Sequence, residues 1–114
     1  MRHRLVAFSQ GSLVVDEGKA RDLADPRFSI AIREATEDDW ARADAAGEAG
    51  RAGGMSLLAR RCRVVWEIAS DAEDAALWTF AATLAGALLG PILPADEATL
   101  VGVRGARLRA ERRG

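Results

Sequence analysis

Between Cys62 and Gly90 the chain reads CRVVWEIA, SDAE, DAALWTFAATLAGALLG, and no other stretch limits the fold as strongly. In an extended segment Cys62, Val64, Trp66 and Ile68 share one face, with Arg63, Val65, Glu67 and Ala69 on the other. β-branched and aromatic residues suit a pleated, buried surface, so this is the central strand. Ser70 precedes Glu73 by the spacing of a reciprocal helix cap, and Asp71, Glu73 and Asp74 place negative charge where a helix dipole favours it. A long apolar helix over Asp71–Leu89 follows, stopped by Gly90 and Pro91.

That helix has two unlike sides. Leu77, Phe80, Leu84 and Leu88 form a bulky stripe, while Ala76, Thr79, Thr83, Gly86 and Gly90 form a strip of small residues suited to close approach by another backbone. A helix that is apolar all round is either central in a globule or within a membrane. From Ala75 to Leu93 there are 19 residues without a charge. They are mostly Ala, Gly and Thr, their flanks are acidic at Asp74 and Asp96, and Pro91 cuts the helical part to about 16 residues, short of a span. A helix buried in a soluble protein is the expectation, with no membrane partner.

The rest of the chain supplies shorter elements. Leu5–Phe8 and Leu13–Val15, separated by SQGS, read as a hairpin. Asp16 is expected to cap a helical turn that runs to Leu23 and ends at Asp25-Pro26. Phe28–Ile32 alternates like a strand, and Thr36 caps a helix whose first turn is acidic. Gly47, Gly50, Gly53 and Gly54 then predict a flexible connector with one more turn over Met55–Arg60. After PILPADEA, Thr99–Val103 reads as a last strand, which would complete a right-handed crossover if it lay parallel and next to the central one. Residues 104–114 read as a frayed basic tail.

With 114 residues the chain fits one domain, 1–114, burying roughly two thirds of its unfolded surface. The expected class is α+β: a small mixed sheet of about five short strands, one long apolar helix packed on it, and a variable helical middle.

Chemistry enters mainly as exclusion. A formal net charge of -1 argues against a generally basic nucleic-acid binder. The tail arginines Arg104, Arg107, Arg109, Arg112 and Arg113 read as solvated, with Glu111 among them and no aromatic residue interleaved, so no nucleic-acid partner is expected. The one cysteine, Cys62, allows no internal disulfide and fits a cytoplasmic setting. His3 and Cys62 are too few for a His/Cys metal site, and no nucleotide-binding loop is present, so neither metal nor cofactor is expected. GEAGRAGGMS, with Arg51 and Ser56, has the composition of a phosphate cradle but reads as a linker, since no strand leads into it. Glu34, Asp38, Asp39 and Glu67 are the carboxylates that acid–base or Mg²⁺ chemistry would draw on.

Two functional classes follow. The first is a non-catalytic interaction or assembly protein, a homo-oligomer or one with another protein partner, whose interface uses Trp40, Thr79, Thr83 and Gly86. The second is a small enzyme or ligand-binding protein with a cleft beside Arg63 and Glu67.

Overall fold

The computed structural model describes residues 3–113. Its elements in chain order are β1 (His3–Ser9), α1 (Leu13–Asp22), β2 (Phe28–Glu34), α2 (Glu37–Ala49), α3 (Gly53–Arg60), β3 (Val64–Ser70), α4 (Asp74–Leu88), β4 (Ile92–Pro94) and α5 (Val103–Arg113). The fold is α+β, with a sheet of four strands, all antiparallel, in the order β2-β3-β1-β4. This is the connectivity of the split βαβ, ferredoxin-like motif. Helices α2 and α3 are inserted between the second and third strands, and α5 is added at the end.

Strand β3 is central because its residues suit burial on both sides. Val64, Trp66 and Ile68 face one layer, and Val65 faces the other. On the first side α1, α4 and α5 close a core with Leu5, Phe28, Leu77, Leu84 and Leu88. On the second, α2 and α3 cover one end of the sheet and bury Phe8, Val65, Ala43, Ala46 and Ala59 with Leu93 and Leu100. The other end of that second face stays open.

Several expectations are corrected. Among the described residues the sheet has four strands, not five, and no parallel neighbouring pair. Leu13–Val15 is not a hairpin arm but the start of α1, because the Ser12 hydroxyl accepts the Val15 N–H and caps a helix there. The cap is therefore Ser12 and not Asp16, which lies inside the helix and is fully buried. Thr99–Val103 forms only a single bridge, Val101 to Ile92, and the expected loop PILP holds β4 instead. β3 and β4 do run parallel, each being antiparallel to β1, but β1 lies between them.

The Ser70–Glu73 cap is also absent. Ser70 ends β3, and its hydroxyl donates to the Arg27 carbonyl at 2.7 Å and accepts the Ala72 N–H at 2.9 Å. Helix α4 is accordingly shorter than expected, with Leu89 left-handed at its C-cap.

The glycine window is more ordered than its composition suggests. Gly47 lies in α2, where a Cβ would meet Ser56 Cβ of α3 at 2.8 Å, so its bareness allows the two helices to touch. Residues 103–113 form α5, not a frayed tail. Val103, Ala106 and Ala110 pack on α4, and Arg109 lies 4.8 Å over the Trp78 ring. Helix α4 is apolar all round because the sheet covers one flank and α5 another. Its outer residues Thr79, Thr83 and Gly86 are exposed.

Two glycines near the end of α4 should respond oppositely to alanine. At Gly86 an added Cβ would meet only Val103 Cγ2, at 3.9 Å. Gly86→Ala is expected to raise unfolding free energy by about 0.5–1 kcal/mol, the helix-propensity gain. At Gly90 a Cβ would run into the carbonyl of Phe8 on β1. Gly90→Ala should lower stability by about 1–3 kcal/mol. Urea unfolding of both variants tests the pair; a loss at Gly86 would mean that a second backbone does press on the strip.

Candidate functional site

The open end of the sheet is a concave surface of about 780 Å³. Its floor follows from strand register. On the open face Ser29 and Arg4 flank Ala69, while Ala31 and Val6 flank Glu67, with Leu93 beyond Val6. Small aliphatic side chains leave this floor low. Helix α2 raises one wall with Asp38, Asp39 and Arg42, and the end of β4 with the segment after it raises another with Pro94, Ala95 and Glu97.

The walls are held by two arginines, each between two carboxylates. Arg33 donates through Nη1 and Nη2 to Asp39 at 2.6 and 2.8 Å, and through Nε to Glu67 at 2.9 Å. Asp39 also closes the capping box of α2. It accepts the Thr36 N–H at 2.7 Å and the Thr36 hydroxyl at 3.0 Å, while Thr36 Oγ1 accepts the Asp39 N–H. One carboxylate thus fixes the start of α2 and ties it to β2. Burial by itself would raise the Asp39 pKa, but the Arg33 guanidinium and the two Thr36 donors hold it below the ordinary carboxylate value. Its hydrogen bond to Asp39 likewise raises the Arg33 pKa.

Arg42 donates to Asp38 at 2.8 Å and to Glu97 at 3.1 Å, linking α2 to the loop after β4. Glu97 sits at φ 53°, with its N–H on the Pro94 carbonyl at 3.0 Å. A Cβ on Gly50 would collide with Thr99, so the loop touches α2 at a second point.

Several polar groups of the lining are left over, two of them on neighbouring strands. Arg4 has no ion-pair or hydrogen-bond partner among the described residues, and Glu67 Oε2 carries no hydrogen bond among them. They lie diagonally across neighbouring strands, since Arg4 pairs with Ala69 and Glu67 with Val6. Such diagonal neighbours are roughly 7–8 Å apart at the backbone. Among the described residues the surface therefore presents the Arg4 guanidinium, the Ser29 hydroxyl and unpaired carboxylate oxygens of Glu67, Asp38 and Glu97 above an aliphatic floor.

The sequence-derived residues are distributed unevenly. Glu67, Asp38 and Asp39 come together here, whereas Glu34 is exposed at the far end of β2. Arg63 does not line the cleft. It precedes β3 and lies 5.6 Å over the Trp40 ring, while Arg33 from the neighbouring strand takes Glu67. Trp40 is not an exposed anchor, because it packs against the second core and its indole donates to the Cys62 carbonyl at 3.0 Å. Thr79 and Thr83 line a small groove with Arg107, and their hydroxyls donate to the carbonyls of Ala75 and Thr79.

Within GEAGRAGGMS the Ser56 hydroxyl is used by the Gly53 carbonyl. His3 reaches Asp74, at 3.6 Å, on the start of α4. Sequence reasoning missed Arg4, Arg33, Arg42 and Glu97. Arg33 alternates with Ala31 and Ser29 on the strand face opposite Ile30 and Ile32, which was a readable signal.

No cluster of three or more His, Cys, Asp or Glu suited to a metal ion occurs among the described residues, and no helix among them is long and apolar enough to cross a membrane. No protein-family model, curated protein or solved structure matches the chain.

Two predictions follow from this geometry. Because the folded Asp39 pKa lies below its unfolded value, its contribution to stability is present above the ordinary carboxylate pKa of about 3.9 and is lost as pH falls through the folded value. Arg33→Gln strands a buried charge and should cost about 1–3 kcal/mol at pH 7, a figure reduced because the Arg33 side chain is 39% exposed and screened. The difference from wild type should shrink below pH ~4 in pH-resolved urea melts. The second prediction concerns Cys62, fully buried with its thiol pushed up to about 11 by desolvation. Thiol labelling of native protein should run at least about a hundredfold slower than in denaturant, and equal rates would contradict the burial.

Proposed function

We propose that this chain is a ligand-binding protein whose site is the cleft beside Glu67, taking a metabolite-sized anion that also carries a hydroxyl or amine. The observation that carries this reading is Arg4, a cation without a partner among the described residues, set diagonally from Glu67 above Val6, Ala31 and Ala69. A free guanidinium is suited to a carboxylate or phosphate, and the free Glu67 oxygen accepts from an O–H or N–H. The volume falls in the range of small-molecule sites. Each of Asp38, Asp39, Glu67 and Glu97 is already engaged by Arg33 or Arg42, which favours holding a ligand over moving a proton. A cytoplasmic setting suits the single buried thiol.

Assembly through Trp40 has less support, since Trp40 packs within the fold and its indole is bonded to the Cys62 carbonyl.

Titration with a panel of amino acids, hydroxy acids, dicarboxylates and sugar phosphates, followed by calorimetry and thermal shift, tests the proposal. At least one compound is expected to bind more tightly than ~1 mM. Arg4→Gln should weaken it about tenfold, equal to about 1.4 kcal/mol. Ala69→Trp, which fills the floor, should abolish binding while leaving the far-UV spectrum unchanged. Absence of any binder, or binding indifferent to both substitutions, would overturn the reading.

A further inference from the structure

The two edges of the sheet are unequal. Edge β4 is three residues long, contains Pro94, and is bridged on its outer side by Val101. These are devices by which proteins blunt an edge. Edge β2 has none of them. It runs for seven residues, FSIAIRE, with no proline, no bulge and, among the described residues, strand neighbours only on its β3 side.

Register shows which backbone groups the β2 edge presents. Ala35 continues the β2–β3 pairing, and its N–H donates to the Arg63 carbonyl at 2.9 Å. Alternate residues in an antiparallel pair bond inward, so Ser29, Ala31 and Arg33 address β3, and Phe28, Ile30, Ile32 and Glu34 point outward. The Phe28 N–H is taken by Asp25 at 2.9 Å, and the Glu34 carbonyl accepts from Arg33 at 3.1 Å. Among the described residues nothing bonds to the outward groups of Ile30 or Ile32. Both side chains are only partly buried against the first core.

We propose that β2 is the seam of a two-fold homodimer, in which a second copy of this chain adds its own β2 antiparallel to the first. The segment is complementary to itself. With the axis beside Ala31, Ile30 lies opposite Ile32 of the second copy, and each exchanges its outward N–H and C=O with the other. The isoleucine pairs meet on the helix-covered side and bury their remaining apolar surface, while Ser29 meets Arg33 on the open side. Phe28, with the Arg27 guanidinium 5.2 Å from its ring centroid, meets Glu34 of the second copy. Glu34 of each copy thus lies beside the Arg27–Asp25 ion pair of the other, at both ends of the seam. A mostly apolar groove lined by Ala20, Ala24, Pro26, Phe28 and Ile30, together with Arg21 and Asp25, runs beside the strand. It gives the contact a route to the roughly 1,000 Å² that a stable interface needs, which strand pairing alone does not supply. The dimer does not require a cleft ligand: Arg4 and Glu67 take no part in it, although Ser29, Ala31 and Arg33 belong both to the seam and to the cleft lining.

Sedimentation equilibrium from ~1 µM to ~1 mM, with site-resolved amide exchange at both ends of that range, tests the proposal. The wild type is expected to reach twice the 12.2 kDa chain mass. In step with that, Ile30 and Ile32 amide exchange should slow at least about tenfold. Ile30→Pro removes one outward N–H and leaves the inward bonds of Ser29 and Ala31 in place, so it should stay folded and monomeric. If that variant fails to fold, the concentration dependence of the wild-type amides decides alone. A wild type that stays monomeric at ~1 mM would overturn the proposal, as would a dimer whose Ile30 and Ile32 amides exchange at the monomer rate.

Discussion

Trp66 sits at the middle of the central strand with no exposure, and its indole N–H must find an acceptor there. The acceptor is Asp16 Oδ2, at 2.9 Å, fifty residues earlier in the chain. Much of the N-terminal third is arranged to deliver that carboxylate. Ser12 caps α1 so that Asp16 falls one turn later, pointing at the sheet. Gly11 has no side chain where one would collide with Asp16 Oδ1, and Ser9 accepts the Gly11 N–H at 3.0 Å to set the turn between β1 and α1. The arrangement has a cost, since Asp16 Oδ1 is buried with no hydrogen bond among the described residues.

The same interaction explains why the N-terminal hairpin was a misreading. Leu13-Val14-Val15 has strand-forming residues, and Val14 is 80% exposed in the helix that forms instead. Local propensity is a weak term there, on the order of a few tenths of a kcal/mol per residue. Packing of Leu13, Ala20 and Leu23 on the core, together with the Asp16 contact, exceeds it. Where local pattern and tertiary need agree, the elements were legible: β3 by its alternation, β2 by the spacing of Phe28, Ile30 and Ile32, and α2 by its Thr36 cap. Helix α5 was hidden for the opposite reason. Its arginines drew attention away from Val103, Ala106 and Ala110, a narrow stripe that becomes meaningful only against the small flank of α4.

The cleft was half legible. Glu67 stood out as a carboxylate on an otherwise apolar strand, and that position is what places it on the open face. Its partner was not readable, because choosing between Arg63 and Arg33 requires the register of β2 against β3. In that register Arg33 pairs with Val65 and so lies diagonally next to Glu67, whereas Arg63 pairs with Ala35 at the covered end. Arg4 and Glu97 reach the site from β1 and from the loop after β4, and their meeting is a property of the strand order, not of spacing along the chain.

What leaves this face open is the position of the insertion between β2 and β3. Two adjacent antiparallel strands can be joined by a short turn, yet here the chain spends α2 and α3 on the connection. It leaves the sheet after Glu34 and returns before Val64, where Ala35 and Arg63 are hydrogen-bonded to each other. A connection that departs and returns at one point covers the sheet only as far as its two helices reach. Phe8 and Val65 fall under it, while Ser29, Ala69 and Arg4, at the other end of the same strands, do not. The edge of that uncovered wall is the salt-bridged start of α2, held by Asp39 to Arg33. The cleft is thus the part of the sheet that the insertion cannot reach, and its charged rim is the set of contacts that fixes the insertion in place.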